Sequence, residues 1–245
     1  MIIWLASYPR SGNTLTRILL HGMYGVRTHS TPDRLLSPLA IAGSLGMVFT
    51  SKVMDLLPAF RERSQRYFVK THAVLDRKNH VQVGDRAIYI IRDGRDTLVS
   101  RAHFYADAFP EYRGQFEETL RRLVARDMKC RPWSPSVMTW ADRPRTAYIH
   151  YEDLVAGPAP LGTLVIARAM EALGVSIPRK DVKIPKFASL HRSNPAFFRK
   201  GKAGAWREEM PAELQEVFWE NNRRGMEYYG YFMDSVVSQV GEHPG

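Results

Sequence analysis

Ile2-Ile3-Trp4-Leu5-Ala6 runs straight into Ser7-Tyr8-Pro9-Arg10-Ser11-Gly12-Asn13-Thr14, and a helical pattern continues from there to Tyr24. An apolar run without alternation is the pattern of a strand buried on both faces of a parallel sheet. Strand, tight turn and helix N-terminus aim several backbone N–H groups and the positive end of a helix dipole at one spot, which makes an anion site. Laid on the nucleotide-binding pattern G-x-x-x-x-G-K-[ST], Ser7 takes the place of the first glycine, Gly12 matches the second and Thr14 matches the hydroxyl. Asn13 stands where the lysine belongs, and Arg10 supplies a cation from inside the loop. A plain strand–turn–helix connection, in which Pro9 and Gly12 only shape the turn, would use the same residues.

Three further strands read out at 67–70, 87–91 and 146–150, the run Ile88-Tyr89-Ile90-Ile91 being the clearest. Helical patterns lie at 14–24, 96–105, 115–128, 161–173 (ended by Gly174) and from Pro211 to about 228. Alternating strands and helices predict an α/β fold, a P-loop-like central parallel sheet flanked by helices, as one domain over 1–245. Ligands of such sheets bind at the carboxyl ends of the strands, so the residues just after each strand are the ones to read. A short polar tail follows residue 237.

The bulk properties fit this reading. A hydrophobic content of 44% with 24% charged residues is ordinary for a globular chain. Cys130 is the only cysteine, which excludes an internal disulfide framework and a thiolate cluster and fits a reducing, cytoplasmic setting. No signal-peptide pattern precedes the first strand. The uncharged stretch 35–51 is broken by Pro38, Gly43 and Gly46 and is shorter than the ~20 residues of a membrane span, so none is expected. The net charge of +10 suits an anionic ligand, an acidic polymer or a merely solubilising surface. Nucleic acid is not expected as a partner, because no dense basic arm and no zinc or RNA-binding signature is present.

The other strand ends carry chemistry of one kind. Arg92-Asp93-Gly94-Arg95-Asp96 follows the third strand, with Ser100 in the helix beyond. A strand-end arginine with a helical serine suits a metal-free grip on phosphate, although ordinary surface ion pairs look alike. Lys70-Thr71-His72 follows the second strand. A histidine there titrates in the range of a general base and a lysine can neutralise a leaving oxygen; a rim pair with no chemistry fits as well. Arg199-Lys200-Gly201-Lys202-Ala203-Gly204-Ala205-Trp206 reads as a basic loop with glycine hinges, and Tyr151-Glu152-Asp153 follows the fourth strand.

Taken together, these motifs resemble the cytosolic-type sulfotransferases. Tyr8 to Thr14 is similar to that family's 5′-phosphosulfate loop, usually Tyr-Pro-Lys-Ser-Gly-Thr-Thr-Trp, with Arg10 for the lysine and Leu15 for the tryptophan that stacks on adenine. Arg92 to Ser100 resembles its 3′-phosphate segment, Arg-x-x-x-Asp-x-x-x-Ser, and His103-Phe104-Tyr105 extends the likeness. Lys70-Thr71-His72 matches its Lys-Thr-His, and residues 199–207 match its Arg-Lys-Gly-x-x-Gly-x-Trp-Lys with Arg207 for the last lysine.

The resemblance implies transfer of a sulfonate from 3′-phosphoadenosine 5′-phosphosulfate (PAPS) to a hydroxyl or amine of a small-molecule acceptor, with no metal. It implies His72 as base, with Lys70 and Arg10 assisting transfer. Arg10, Ser11, Gly12, Asn13 and Thr14 would hold the 5′ side of PAPS, Leu15 would stand at the adenine-stacking position, and Arg92, Ser100, Arg199, Lys200 and Gly201 would take its 3′-phosphate. Tyr151 and Phe187 would flank the adenine. Segments 35–66 and 107–144 match no motif and are expected to carry acceptor specificity, with Met47 and Phe49 bordering the acceptor. A magnesium-dependent phosphotransferase on the same loop, and a non-catalytic binder of phosphorylated nucleotides or acidic polymers, are the rival readings.

Overall fold

Ile2–Ser7 forms strand β1 with every residue buried, and its side chains alternate between two cores. Ile2 and Trp4 pack with Tyr89 and Trp140 on one face, Ile3 and Leu5 with Phe68 and Ile88 on the other. Each fully buried aliphatic side chain of this kind contributes about 1.5–3 kcal/mol. The indole N–H of Trp4 donates to Asp85 at 2.8 Å, so its one polar atom is satisfied in the core.

The structure is a computed structural model that describes residues 1–31, 41–76, 80–156, 160–184, 186–195 and 198–233. After β1 come α1 (Asn13–Tyr24), β2 (Thr28–Ser30), α2 (Ile41–Ser44), β3 (Met47–Phe49), α3 (Leu57–Glu62), β4 (Tyr67–Thr71), β5 (Arg86–Ile91) and α4 (Gly94–Ala108). The second half holds α5 (Phe116–Val124), α6 (Trp133–Met138), β6 (Thr146–His150), α7 (Tyr151–Val155), α8 (Pro160–Ala172), α9 (Phe187–Ser193), α10 (Trp206–Glu209) and α11 (Ala212–Tyr228). All the strands join one parallel sheet in the order β3-β2-β4-β1-β5-β6. Helices α3, α4, α5, α6 and α11 cover the face of Trp4, while α1 and α8 cover the face of Leu5.

The four expected strands are β1, β4, β5 and β6, and the structure adds β2 and β3 at one edge. Residues 35–40 and the tail after 237 lie outside the described residues. The described part of the 35–51 stretch forms α2 and β3, and Met47 packs with Ile18, Leu45, Leu190 and Phe198. No residue of 41–51 lines the cavity described below, whereas Met54 does.

Register places the functional groups. Ala6 pairs with Thr71, which leaves Ser7 and His72 side by side just beyond. Ile91 pairs with His150, so Arg92 and Tyr151 leave the sheet together. β1 has β4 on one side and β5 on the other, and the crevice at this reversal of direction is where such sheets take ligands.

Candidate active site

A cavity of about 760 Å³ opens at the carboxyl ends of β1, β4, β5 and β6. The loop after β1 forms its floor. Gly12 has φ of 99°, and a Cβ there would collide with the Tyr151 ring, so only glycine lets tyrosine and loop meet. Arg10 takes a left-handed φ of 73° without being glycine, and its carbonyl accepts from Arg92 Nη1 at 3.2 Å. Its Nε donates to Ser100 Oγ at 3.2 Å, and its guanidinium lies 5.0 Å from the centre of the Phe104 ring. The N–H groups that open α1, from Asn13 to Leu15, have no intrahelical carbonyl to bond.

Two loop residues differ from expectation. Ser11 is fully buried and does not line the cavity; its N–H turns back to the Tyr8 carbonyl at 3.3 Å. The tight turn that presents Arg10 and Gly12 points Ser11 inward. The Asn13 side chain also turns inward, donating to the Leu5 carbonyl at 2.7 Å and to Ser7 Oγ at 3.3 Å. It ties the start of α1 to the end of β1 instead of reaching over the cavity as a lysine would.

His72 sits at the cavity wall with Nδ1 2.8 Å from the Ser7 carbonyl and 3.2 Å from Ser7 Oγ. A carbonyl only accepts, so Nδ1 carries the proton and Nε2 keeps the lone pair. Crowding by protein, then the charges of Lys70, Arg101 and Arg10, push the pKa of the ring down to about 3 against the pull of the Ser7 carbonyl. Cavity solvent reaches the open side of the ring and blunts the crowding. The cations act in the same direction, so the imidazole is neutral at pH 7.

Arg92 is buried, pairs with Asp96 at 3.5 Å and lies 4.2 Å over the Tyr151 ring. Its Nε is buried without a hydrogen-bond partner. Asp96 fastens the basic loop to α4 by accepting from the backbone N–H of Gly204 at 2.7 Å and of Trp206 at 2.9 Å. The Arg95 guanidinium stacks 3.6 Å over Trp206 and grips Asp93, the residue that caps α4. This clamp brings Arg199, Lys200 and Gly201 to the cavity. Gly201, at φ of 62°, passes directly under the Phe187 ring, where a Cβ would clash.

Arg10, Gly12, Asn13, Thr14, Leu15, Lys70, His72, Arg92, Ser100, Tyr151, Phe187, Arg199, Lys200 and Gly201 therefore line one cavity, although they come from both ends of the chain. The model of the sulfotransferase domain matches residues 2–230. The chain belongs to the sulfotransferase family. Mouse sulfotransferase 1 family member D1 is 24% identical to it, over 92% of this chain and 83% of that protein. Bovine sulfotransferase 1A1 is 25% identical, over 87% and 79%. Among solved structures, mouse sulfotransferase SULT7A1 complexed with PAP shares the fold with a TM-score of 0.60 at 19% identity, covering 94% of this chain and 89% of that one. Retinol dehydratase in a complex with retinol and PAP gives 0.61 at 18% identity, covering 98% and 83%.

This sulfotransferase also has side-chain partnerships around the cavity that the motifs did not foretell. Glu209 accepts from Arg199 at 2.9 Å, Lys200 at 2.6 Å and His103 at 2.5 Å. Partial burial pushes the Glu209 carboxyl up, but its three donors outweigh that and hold it at about 2. Arg101 joins the wall, and its Nη1 donates to the Tyr8 phenol oxygen behind it at 2.8 Å. No local spacing in the sequence foretells either cluster. Among the described residues no helix is long and apolar enough to cross a membrane.

Proposed function

We propose that this sulfotransferase uses PAPS as donor and a small hydroxyl- or amine-bearing molecule as acceptor, in the reducing cytoplasm that its single cysteine fits. The observation that carries the reading is Arg92, which leaves the end of β5 and lines the cavity beside Ser100 and the basic loop. A phosphate at that place would gain charge-assisted hydrogen bonds from these groups. The cradle of Gly12 against Tyr151, with apolar Leu15, Leu154 and Phe187 nearby, suits an adenine nucleotide. PAP bound to mouse SULT7A1 and to retinol dehydratase supports the same choice.

Bound PAPS supplies the sulfonate: the acceptor atom bonds to sulfur as the bridging S–O bond breaks and its electron pair leaves on the 3′,5′-bisphosphate. His72 Nε2 takes the proton from the acceptor, while Ser7 holds Nδ1–H and so the ring. Lys70 and Arg10 place positive charge at the loop where the 5′ group would lie. N–H groups from Asn13 to Leu15 hold the 5′-phosphate, with Ser11 as a support behind them. Arg92, Ser100 and residues 199–201 hold the 3′-phosphate. Tyr151 and Phe187, together with Leu15, enclose the adenine.

Thermal melts test this. A ligand that binds only the folded state at a hundredfold excess over Kd adds about 2.7 kcal/mol. 3′,5′-Bisphosphoadenosine should raise Tm without magnesium, AMP far less at equal concentration, and Arg92→Ala should largely erase the difference. Equal stabilisation by AMP overturns the donor assignment. A preference for ATP with magnesium would favour a phosphotransferase, and ranking by total charge would favour an acidic-polymer binder.

A further inference from the structure

On the far side of His72 lies a second cavity, of about 220 Å³, sharing His72, Ala73, Pro9 and Arg101 with the first. Its floor is Tyr89 and Trp140, both buried, and its sides carry Tyr8, Lys129 and Arg131. An acceptor whose nucleophile reaches His72 from outside the donor cavity would occupy this space. The volume is below the ~300–1,000 Å³ of a drug-sized ligand pocket, so the cavity takes a small molecule or one end of a larger one.

The charge in this cavity is one-sided. Arg101 bonds the phenol oxygens of Tyr8 at 2.8 Å and Tyr105 at 3.4 Å, and its guanidinium lies against both rings. Among the described residues no carboxylate pairs with it. Burial pushes the Tyr8 phenol up to about 12, so Tyr8 stays neutral and offers no negative charge. Lys129 is exposed at the edge, and the Arg131 guanidinium meets Asp76 at 3.7 Å, a largely exposed pair that contributes little. A guanidinium has five N–H donors in a planar fork suited to a carboxylate, sulfate or phosphate, and these two hydrogen bonds leave most of them available. Such a half-buried cation without a counter-charge, beside the base, is placed to select a substrate.

We infer that the acceptor carries an anionic group next to its nucleophilic hydroxyl or amine, and that Arg101, with Lys129 at the rim, binds that group. This rests on the sulfotransferase reading of His72, and it names the acceptor class that reading leaves open. Ser100 and Arg101 are neighbours on α4 with different tasks: Ser100 faces the donor cavity alone, while Arg101 reaches both cavities.

The test uses the full chain saturated with 3′,5′-bisphosphoadenosine and pairs of probes differing only in charge. Suitable pairs are 4-hydroxybenzoate with 4-hydroxybenzamide, 4-aminobenzoate with 4-aminobenzamide, and 4-hydroxybenzenesulfonate with its sulfonamide. Calorimetry on this complex reads Kd, and a separate assay without the bisphosphate, with a labelled sulfonate donor, reads turnover. At low salt the charged member of at least one pair should bind about tenfold or more tightly, the scale of one charge-assisted hydrogen bond. The ratio should shrink as salt rises. Arg101→Gln should bring it close to one mainly through acceptor KM, and Lys129→Gln, an exposed change with little risk to folding, should lower it partway. Equal ranking within every pair, no binding by any anion, or a ratio unmoved in Arg101→Gln overturns the inference. So does an Arg101→Gln loss in kcat that is the same for charged and neutral acceptors, which would put the guanidinium on the transferring sulfonate. Failure of the bisphosphate itself to bind would instead sink the donor reading, and this inference with it.

Discussion

A hydrogen bond of 2.8 Å to the Ser7 carbonyl decides which nitrogen of His72 stays basic, and Asn13 braces the same Ser7 from the other side. His72→Ala should therefore lower kcat about a hundredfold or more, the scale for a positioned general base, while the Kd for 3′,5′-bisphosphoadenosine barely changes. Near-normal turnover would remove His72 from the chemistry. Because crowding and the charges of Lys70, Arg101 and Arg10 hold the ring below its ordinary value, kcat/KM should show no acid limb at 6.5; a limb at that ordinary histidine value would contradict the downward shift. Glu152 behaves in the opposite sense. Burial raises its carboxyl to about 7, against hydrogen bonds from the Asp93 N–H at 3.1 Å and the Tyr231 hydroxyl at 2.8 Å. A folded pKa above the unfolded one gives stability that is complete below about 4.5 and is lost as pH rises through about 7. Urea midpoints at pH 5 and pH 8 should show a larger loss for the natural chain than for Glu152→Gln; equal slopes would mean that Glu152 titrates normally.

At the scale of elements, the first turn of α4 acts as a clamp, since Asp96 accepts the Gly204 and Trp206 N–H groups far along the chain. Asp96→Ala leaves those two donors without their acceptor and the Arg92 cation without its counter-charge. It should cost about 3–6 kcal/mol in urea unfolding, the range for two bonds to a charged group. It should also raise the Kd for the bisphosphate at least tenfold, because residues 199–201 lose their anchor; unchanged binding would show that the loop is placed without it. The Arg-x-x-x-Asp-x-x-x-Ser pattern made Arg92 and Ser100 legible in the sequence, but not this role of the aspartate between them. Likewise β1, β4, β5 and β6 were legible because their central runs are apolar and long enough to read. β2 is Thr28-His29-Ser30, three residues with no apolar run, and it becomes a strand only by pairing with β4 and β3. The burial of Ser11 was not legible, because a motif shows which residues enter a turn, not which of them the turn points inward.

At the scale of the whole molecule, sheet order gathers cations from both ends of a chain whose net charge is +10 around one crevice. Two electrostatic effects then act on an anionic nucleotide, and salt separates them. The summed field of exposed charges reaches across solvent, speeds encounter and is screened over about 10 Å at 0.1 M salt and about 3 Å at 1 M. Contacts at hydrogen-bond distance within the cavity, such as those proposed for Arg92 and Ser100, are shorter than either length and largely escape screening. Stopped-flow binding of 3′,5′-bisphosphoadenosine should therefore show an association rate falling about tenfold or more between 0.01 M and 1 M salt, while the dissociation rate changes less than about threefold. Neutral adenosine should show neither dependence. If salt instead accelerates dissociation and leaves association alone, the bound phosphates are exposed to solvent, and the enclosed site built from β1, α4 and the 199–201 loop is not the one that holds them.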